Sequence, residues 1–360
     1  MNMKPRTKVL LLAAIIIAGL AFFCLRKSEP SYRGNSLSEW LRQEPVPSCC
    51  GEEMKLSEET KEALRIMGPN IVPYLVKKVG RKESGFRKSL VDFCSKHNLP
   101  SFIKDNSEEI YAEKERGVSA FEVIGQEARS AIPSLSALLK DEETAYHAAR
   151  ALVTIGDEAM PAMIQALSSK NVETVCSVTA SLSLAATNAV RAIPALLVNL
   201  TNANRHVRIL SVWTLGDIHL PSTLQHLIGA ISDPSPDVHQ SAIRAIGYYT
   251  TNAISALPML TALAANPDLP TRRSAIESIK KIDGTNGFPR FFGWLASTNA
   301  EIRAAGVQAL HGYALTNLTS RIALTNALQD SNENIRTGAS NVLGSFPRIP
   351  PGGRRGRRSP

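Results

Sequence analysis

The chain reads as an all-α solenoid, a right-handed α-α superhelix of about nine helix pairs, and three columns of residues predict it. One slot holds Gly125, Gly156, Ala186, Gly216, Gly247, Lys280, His311 and Gly344, recurring every 30 to 33 residues. The position before it is apolar throughout: Ile124, Ile155, Ala185, Leu215, Ile246, Ile279, Leu310 and Leu343. Five positions before the slot every residue is small: Ala120, Ala151, Ser181, Ser211, Ala242, Ala275, Gly306 and Ala339. A fixed period of this length marks stacked helical units, each burying its apolar face only against its neighbours.

The unit from Ala186 to Gly216 shows how each element arises. Ala192, Ile193, Leu196, Leu197 and Leu200 form one stripe of a first helix. Pro194 lies in its first turns, where a missing backbone N–H costs least. Residues 201–204, Thr-Asn-Ala-Asn, end that helix with turn chemistry. A second helix beginning near His206 carries Val207, Leu210, Ser211, Val212 and Leu215. The proline recurs at Pro73, Pro133, Pro161 and Pro258, each followed two residues later by Leu or Met. An arginine slot eight residues before the glycine slot holds Arg208, Arg272, Arg303 and Arg336, with His239 in one unit. Six residues before these lie Asn202, Asn266, Ser297, Asp330 and, for His239, Asp233.

Ala-Ile-Pro-x-Leu, then Asp-(x)5-Arg, then Ala-Leu-x-x-Ile-Gly resembles the HEAT repeat. The short period is similar to the phycobilisome-lyase-type HEAT-like subclass common in bacteria. The resemblance covers roughly residues 60–346 and implies fold more than function, since HEAT repeats serve many roles. It implies that Arg208, Arg272, Arg303 and Arg336 form a structural ladder, bracing neighbouring turns through the polar residue six earlier. Ala186, Lys280 and His311 depart from glycine, and Ala148 and Val178 from arginine, which predicts altered turn geometry there. An earlier unit is visible around Gly68 and Pro73. The 57-residue gap from Gly68 to Gly125 predicts one degenerate unit over 81–112, with Leu90, Val91, Phe93 and Leu99 as its apolar positions.

The ends differ in character. Residues 9–25 carry no charge and are flanked by Lys4, Arg6 and Lys8 before and Arg26 and Lys27 after. As a helix this run spans about 25 Å, enough for an N-terminal membrane anchor in segment 1–30. A signal peptide cut after Ala21, or a lipidated Cys24, are the alternatives. The charge bias places the repeats outside the cytoplasm, as in a periplasmic domain. Residues 31–59 form a linker and cap, in which Ser36 or Ser38 begins a short helix whose Trp40 covers the first repeat. Residues 347–360 lack apolar periodicity and read as a disordered basic tail.

Charge narrows the partners. The net charge is +9, of which +4 lies in residues 1–30 and +5 in 346–360, leaving residues 31–345 neutral. A neutral solenoid is a poor phosphate binder. Nucleic-acid or polyanion contact would therefore run through Arg354, Arg355, Arg357 and Arg358. The cysteines show no zinc spacing; Cys49 or Cys50 could pair with Cys94 outside the cytoplasm. No histidine precedes Glu, and no phosphate loop, Gly-x-Ser-x-Gly or His-Glu-x-x-His occurs. His219 and His226, seven apart, are the one spacing that could share a helix face. The reading is a non-catalytic scaffold at the bacterial cell envelope, without cofactor, that binds another protein along a concave surface. Second helices such as 206–216, 237–247 and 302–311 line that surface, with His239, Arg244 and Gln308 as contact candidates. The alternatives are a HEAT-fold enzyme or lyase-like factor, and polyanion binding through the tail.

Overall fold

The computed structural model describes residues 29–45, 54–85, 89, 93–94, 96–97, 106–313 and 317–345. Two compact units divide the chain, Met1–Ala166 and Leu167–Pro360.

The first unit opens with a small hairpin, β1 (Ser31–Tyr32) paired antiparallel to β2 (Asn35–Ser36). Arg33 and Gly34 both have positive φ, as a tight two-residue turn requires. Helix α1 (Leu37–Arg42) starts at a capping box in which Ser36 and Glu39 satisfy each other's backbone N–H. Of the two serines expected to cap it, Ser36 does so. Leu37, Trp40 and Leu41 are buried, and the Trp40 indole N–H donates to Tyr32 O at 3.1 Å. Helix α1 packs on α2 (Glu58–Met67). Then come α3 (Val72–Val79), α4 (Ser107–Ile124), α5 (Ile132–Leu138), α6 (Ala145–Ile155) and α7 (Met160–Ala166).

Helix α3 packs directly on α4, and α4 on α6. The expected degenerate unit over 81–112 is thus corrected. Helices α3 and α4 pack as the two members of one pair, α4 begins inside the expected unit, and most of the interval between them lies outside the described residues. The physical reason lies in α4, whose Ile110, Val118, Phe121 and Ile124 supply the buried face of a second helix. Phe93 is 52 % exposed; Leu90, Val91 and Leu99 lie outside the described residues.

The second unit starts with α8 (Val172–Ala185) and continues as five pairs: α9 (Ile193–Asn199) with α10 (Arg205–Ile218), α11 (Leu224–Ala230) with α12 (Pro236–Gly247), α13 (Leu257–Ala264) with α14 (Leu269–Asp283), α15 (Phe288–Leu295) with α16 (Ala300–Leu310), and α17 (Leu318–Ala327) with α18 (Glu333–Gly344). Helices α8, α10, α12, α14, α16 and α18 pack in series as one row. The small column forms the seam of both rows: Ala120, Ala151, Ser181, Ser211, Ala242, Ala275 and Ala339 are each 0 % exposed. Buried Ser181 and Ser211 return their hydroxyls to the carbonyls of Ser177 and Val207 at 2.8 Å, so neither is left unpaired. Each fully buried Leu or Ile beside this seam contributes about 1.5–3 kcal/mol.

The glycine slot serves two purposes. Gly125 and Gly156 end α4 and α6 with φ of +55° and +89°, which a side chain would oppose. Gly216 and Gly247 are helical, and a Cβ there would lie 2.9 Å from Ala245 Cβ and Ser278 Oγ respectively. Lys280 stays within α14, whose turn moves on to Gly284. Ala186 opens a 3-10 turn that leads into α9.

The expectation of a membrane-anchored, extracytoplasmic chain is corrected. Among the described residues no helix is long and apolar enough to cross a membrane. The longest, α4, carries Glu108, Glu109, Glu113, Lys114, Glu115 and Arg116 within 18 residues, a charge density no bilayer core accepts. Residues 9–25, on which the anchor rested, lie outside the described residues, as does the arginine tail 347–360. Among the described residues Cys94 and Cys176 form no disulfide; Cys24, Cys49 and Cys50 lie outside the described residues.

The seam generates a paired prediction. Gly247→Val drives a side chain into Ser278 and costs about 1–3 kcal/mol. Gly229→Ala meets nothing within 4 Å and raises stability by about 0.5–1 kcal/mol. Urea unfolding of both variants measures the difference.

Candidate functional site on the second-helix face

The arginine slot is positioned by the turn between the helices of a pair. Asn202 Oδ1 accepts from Asn204 N, and Asn204 Oδ1 from His206 N, each at 2.8 Å. The first closes the turn and the second caps α10. Asp233–Ser235, Asn266–Asp268, Ser297–Asn299 and Asp330–Asn332 repeat the first bond. Arg208 Nη1 donates to Asn202 O at 2.8 Å, while its Nε and Nη2 grip Asp233 at 2.8 and 3.0 Å. Arg303 repeats both contacts, with Ser297 O at 2.9 Å and Asp330 at 2.8 and 3.0 Å. Arg272 reaches Asn266 O at 2.9 Å and pairs with Glu301. Arg336 reaches Asp330 O at 2.9 Å.

Each guanidinium thus holds the backbone of the residue six earlier. Where it has a carboxylate partner, that partner belongs to the following unit. The planar fork suits this double task, and lysine would not perform it.

The three contact candidates part ways. His239, in the arginine slot of its unit, bonds Ile231 O through Nδ1, eight residues back where the arginines reach six. Arg244 is exposed and its Nε reaches Ser274 Oγ at 3.3 Å across to α14. Gln308 is half-buried and lines a groove of about 530 Å³ formed by α14, α16 and α18. Buried Val307, Ile335 and Val342, with exposed Leu269 and with Ala304, supply its apolar lining; Arg273, Glu277, Lys280, Gln308, His311 and Asn334 its polar lining. Lys280 Nζ lies 3.1 Å from Glu277 Oε1 and neutralises it.

Arg244 and Gln308 belong to a column not singled out in the sequence, three residues before the glycine slot: Trp213, Arg244, Glu277, Gln308 and Asn341. Trp213 is 52 % exposed, as is Tyr248, whose ring carries Lys281 Nζ at 4.0 Å. The signal was present, because these five positions are polar or amphipathic and follow the largely apolar column Val212, Ile243, Ile276 and Val307. A large exposed aromatic on an otherwise polar helix face is a recognition feature in many surfaces.

In the first unit a charged cluster is buried between α4 and α6. Glu115 accepts Arg150 Nη1 on both oxygens at 2.7 Å. His147 Nε2 lies 3.2 Å from Glu115 Oε1 without the alignment of a hydrogen bond. Burial alone would raise the Glu115 carboxyl; His147 and Arg150 outweigh it and hold it below the ordinary range. For Asp233 burial is likewise outweighed, by Arg208. Arg303 holds Asp330 low.

Among the described residues no three His, Cys, Asp or Glu side chains gather as metal ligands. His219 ends α10 while His226 sits on α11, so the two share no helix.

The chain contains HEAT repeats: they match residues 176–247 and 224–311, and a PBS lyase HEAT-like repeat matches 144–169. No curated protein matches it. Among solved structures it is similar to an engineered protein, at 18% identity over 80% of this chain and 91% of that one, TM-score 0.37. A designed armadillo repeat protein in complex with a (KR)4 peptide is similar at 19% identity, over 52% and 99%, TM-score 0.33. Human deoxyhypusine hydroxylase in complex with glycerol is similar at 16% identity, over 60% and 96%, TM-score 0.29. At these scores the likenesses carry no functional argument.

The depressed carboxylates set an acid limit. Their folded pKa values lie below the unfolded ones, so their stabilisation is full above about pH 4–5 and is lost as pH falls through the folded values. Thermal melts of the native chain should therefore drop steeply below that range, and Asp233→Asn with Asp330→Asn should flatten the fall. Arg303→Ala should lower Tm at pH 7; an unchanged Tm would remove the brace from the account of stability.

Proposed function

We propose that the chain is a non-catalytic scaffold that binds another protein on the face made by its second helices. The observation that carries this reading is the contrast within one helix row. The arginine slot is spent on intramolecular bonds, while the column from Trp213 to Asn341 is left facing outward beside a groove of about 530 Å³. A stack whose stability rests on nearest-neighbour packing can vary such a column freely, which suits recognition. The HEAT repeats in the chain agree with an interaction role and leave the partner open. No step of chemistry is assigned to any residue.

Site-specific photocrosslinking tests the reading. A photoreactive amino acid replacing Trp213 or Gln308 should give polypeptide adducts in cells. The same probe at Val198, 70 % exposed on the first helix α9, should give few. Equal labelling from both helix rows would overturn it.

A further inference from the structure

We infer that the groove between α14, α16 and α18 takes an acidic polypeptide segment that carries an apolar anchor side chain. This rests on the scaffold reading and names the partner's chemistry. Val307, Ile335 and Val342 form the buried floor of the groove and Leu269, 54 % exposed, its apolar edge, and together they offer a seat for one aliphatic or aromatic side chain. Around that seat the charges do not balance. Lys280 consumes Glu277, and Glu301 is consumed by Arg272.

Arg273, exposed at the rim, has no ion-pair or hydrogen-bond partner among the described residues. Arg244 reaches only a serine hydroxyl beside it, and Lys281 rests on the Tyr248 ring. Arg273 belongs to the groove's lining, while Arg244 and Lys281 extend the basic surface beyond it on α12 and α14. A guanidinium reads a carboxylate through two parallel bonds. The Gln308 amide, which both donates and accepts, can pair with the backbone of an extended segment.

A nucleic-acid strand fits less well. No Phe, Tyr or Trp lines the groove for base stacking, Tyr248 is capped by Lys281, and residues 31–345 carry no net charge. A basic segment would meet Arg273 as a like charge.

Fluorescence anisotropy with the full chain tests the inference. The probes are a fluorescein-labelled peptide of Glu and Asp around a central Phe, the same peptide with Lys for each acid, the acidic peptide with Gly for Phe, and a labelled single-stranded DNA. The acidic Phe peptide should bind, weaken with salt, and exceed the Lys and Gly peptides by about tenfold or more. Arg273→Glu should weaken it by about tenfold, while Arg65→Glu, exposed in the first unit, should leave it unchanged. Equal binding of the Lys peptide, tighter binding of DNA, or no binding by any peptide would overturn the inference. If position 308 still crosslinks to a polypeptide, only the acidic preference falls; if that labelling also fails, the scaffold reading falls with it.

Discussion

The rows of second helices depend on one steric constraint: the residue at the seam must not exceed a methyl or hydroxymethyl group. Ala242 and Ala275 meet it with nothing polar to satisfy, and Ser181 and Ser211 meet it by folding their hydroxyls back on their own helices. Close approach then allows bonds that a wider spacing would break. Thr214 Oγ1 donates to Thr179 O at 3.0 Å, Ser278 Oγ to Ile243 O at 2.7 Å, and Tyr249 OH to Leu215 O at 3.0 Å. Each links one unit of the second body to the next and satisfies a polar group that burial would otherwise penalise.

A second set of interactions works at the helix-pair turns. The Asx-type bonds shape each turn, and the arginine fork ties it to its own helix and, at Arg208 and Arg303, to the Asp of the following unit. Solvent screens these pairs, which are only partly buried, so their weight lies in geometry more than in raw Coulomb energy. Packing at the seam sets how near the helices lie; the turns set how each pair is aligned. With both tasks met inside the stack, the outward column is released from structural duty. The proposed recognition by Trp213, Arg244 and Gln308 rests on that release, while His239, in the arginine slot, bonds Ile231 O.

The repeat itself was legible because period, apolar stripe and small column are local properties of the chain. Pro73, Pro133, Pro194 and Pro258 all fall at the second residue of their helices, as the missing N–H demands. The candidate face was half legible. Arg244 and Gln308 are exposed or groove-lining, but His239 could be assigned only once Ile231 O was seen beside its ring. The interval after Gly80 misled, since a gap near two periods looks alike whether it holds a whole unit or an insertion within one.

The sequence by itself determined that helices form, where they start, and which stripe of each is buried, since these follow from spacing, capping and volume along one segment. The tertiary structure alone decided which carboxylate each arginine grips, that Gly216 and Gly247 serve packing while Gly125 and Gly156 serve turns, and that Val307, Ile335 and Arg273 meet around one groove. Those outcomes join residues about one repeat or more apart, and only the stacking of neighbouring units brings such residues within bonding distance.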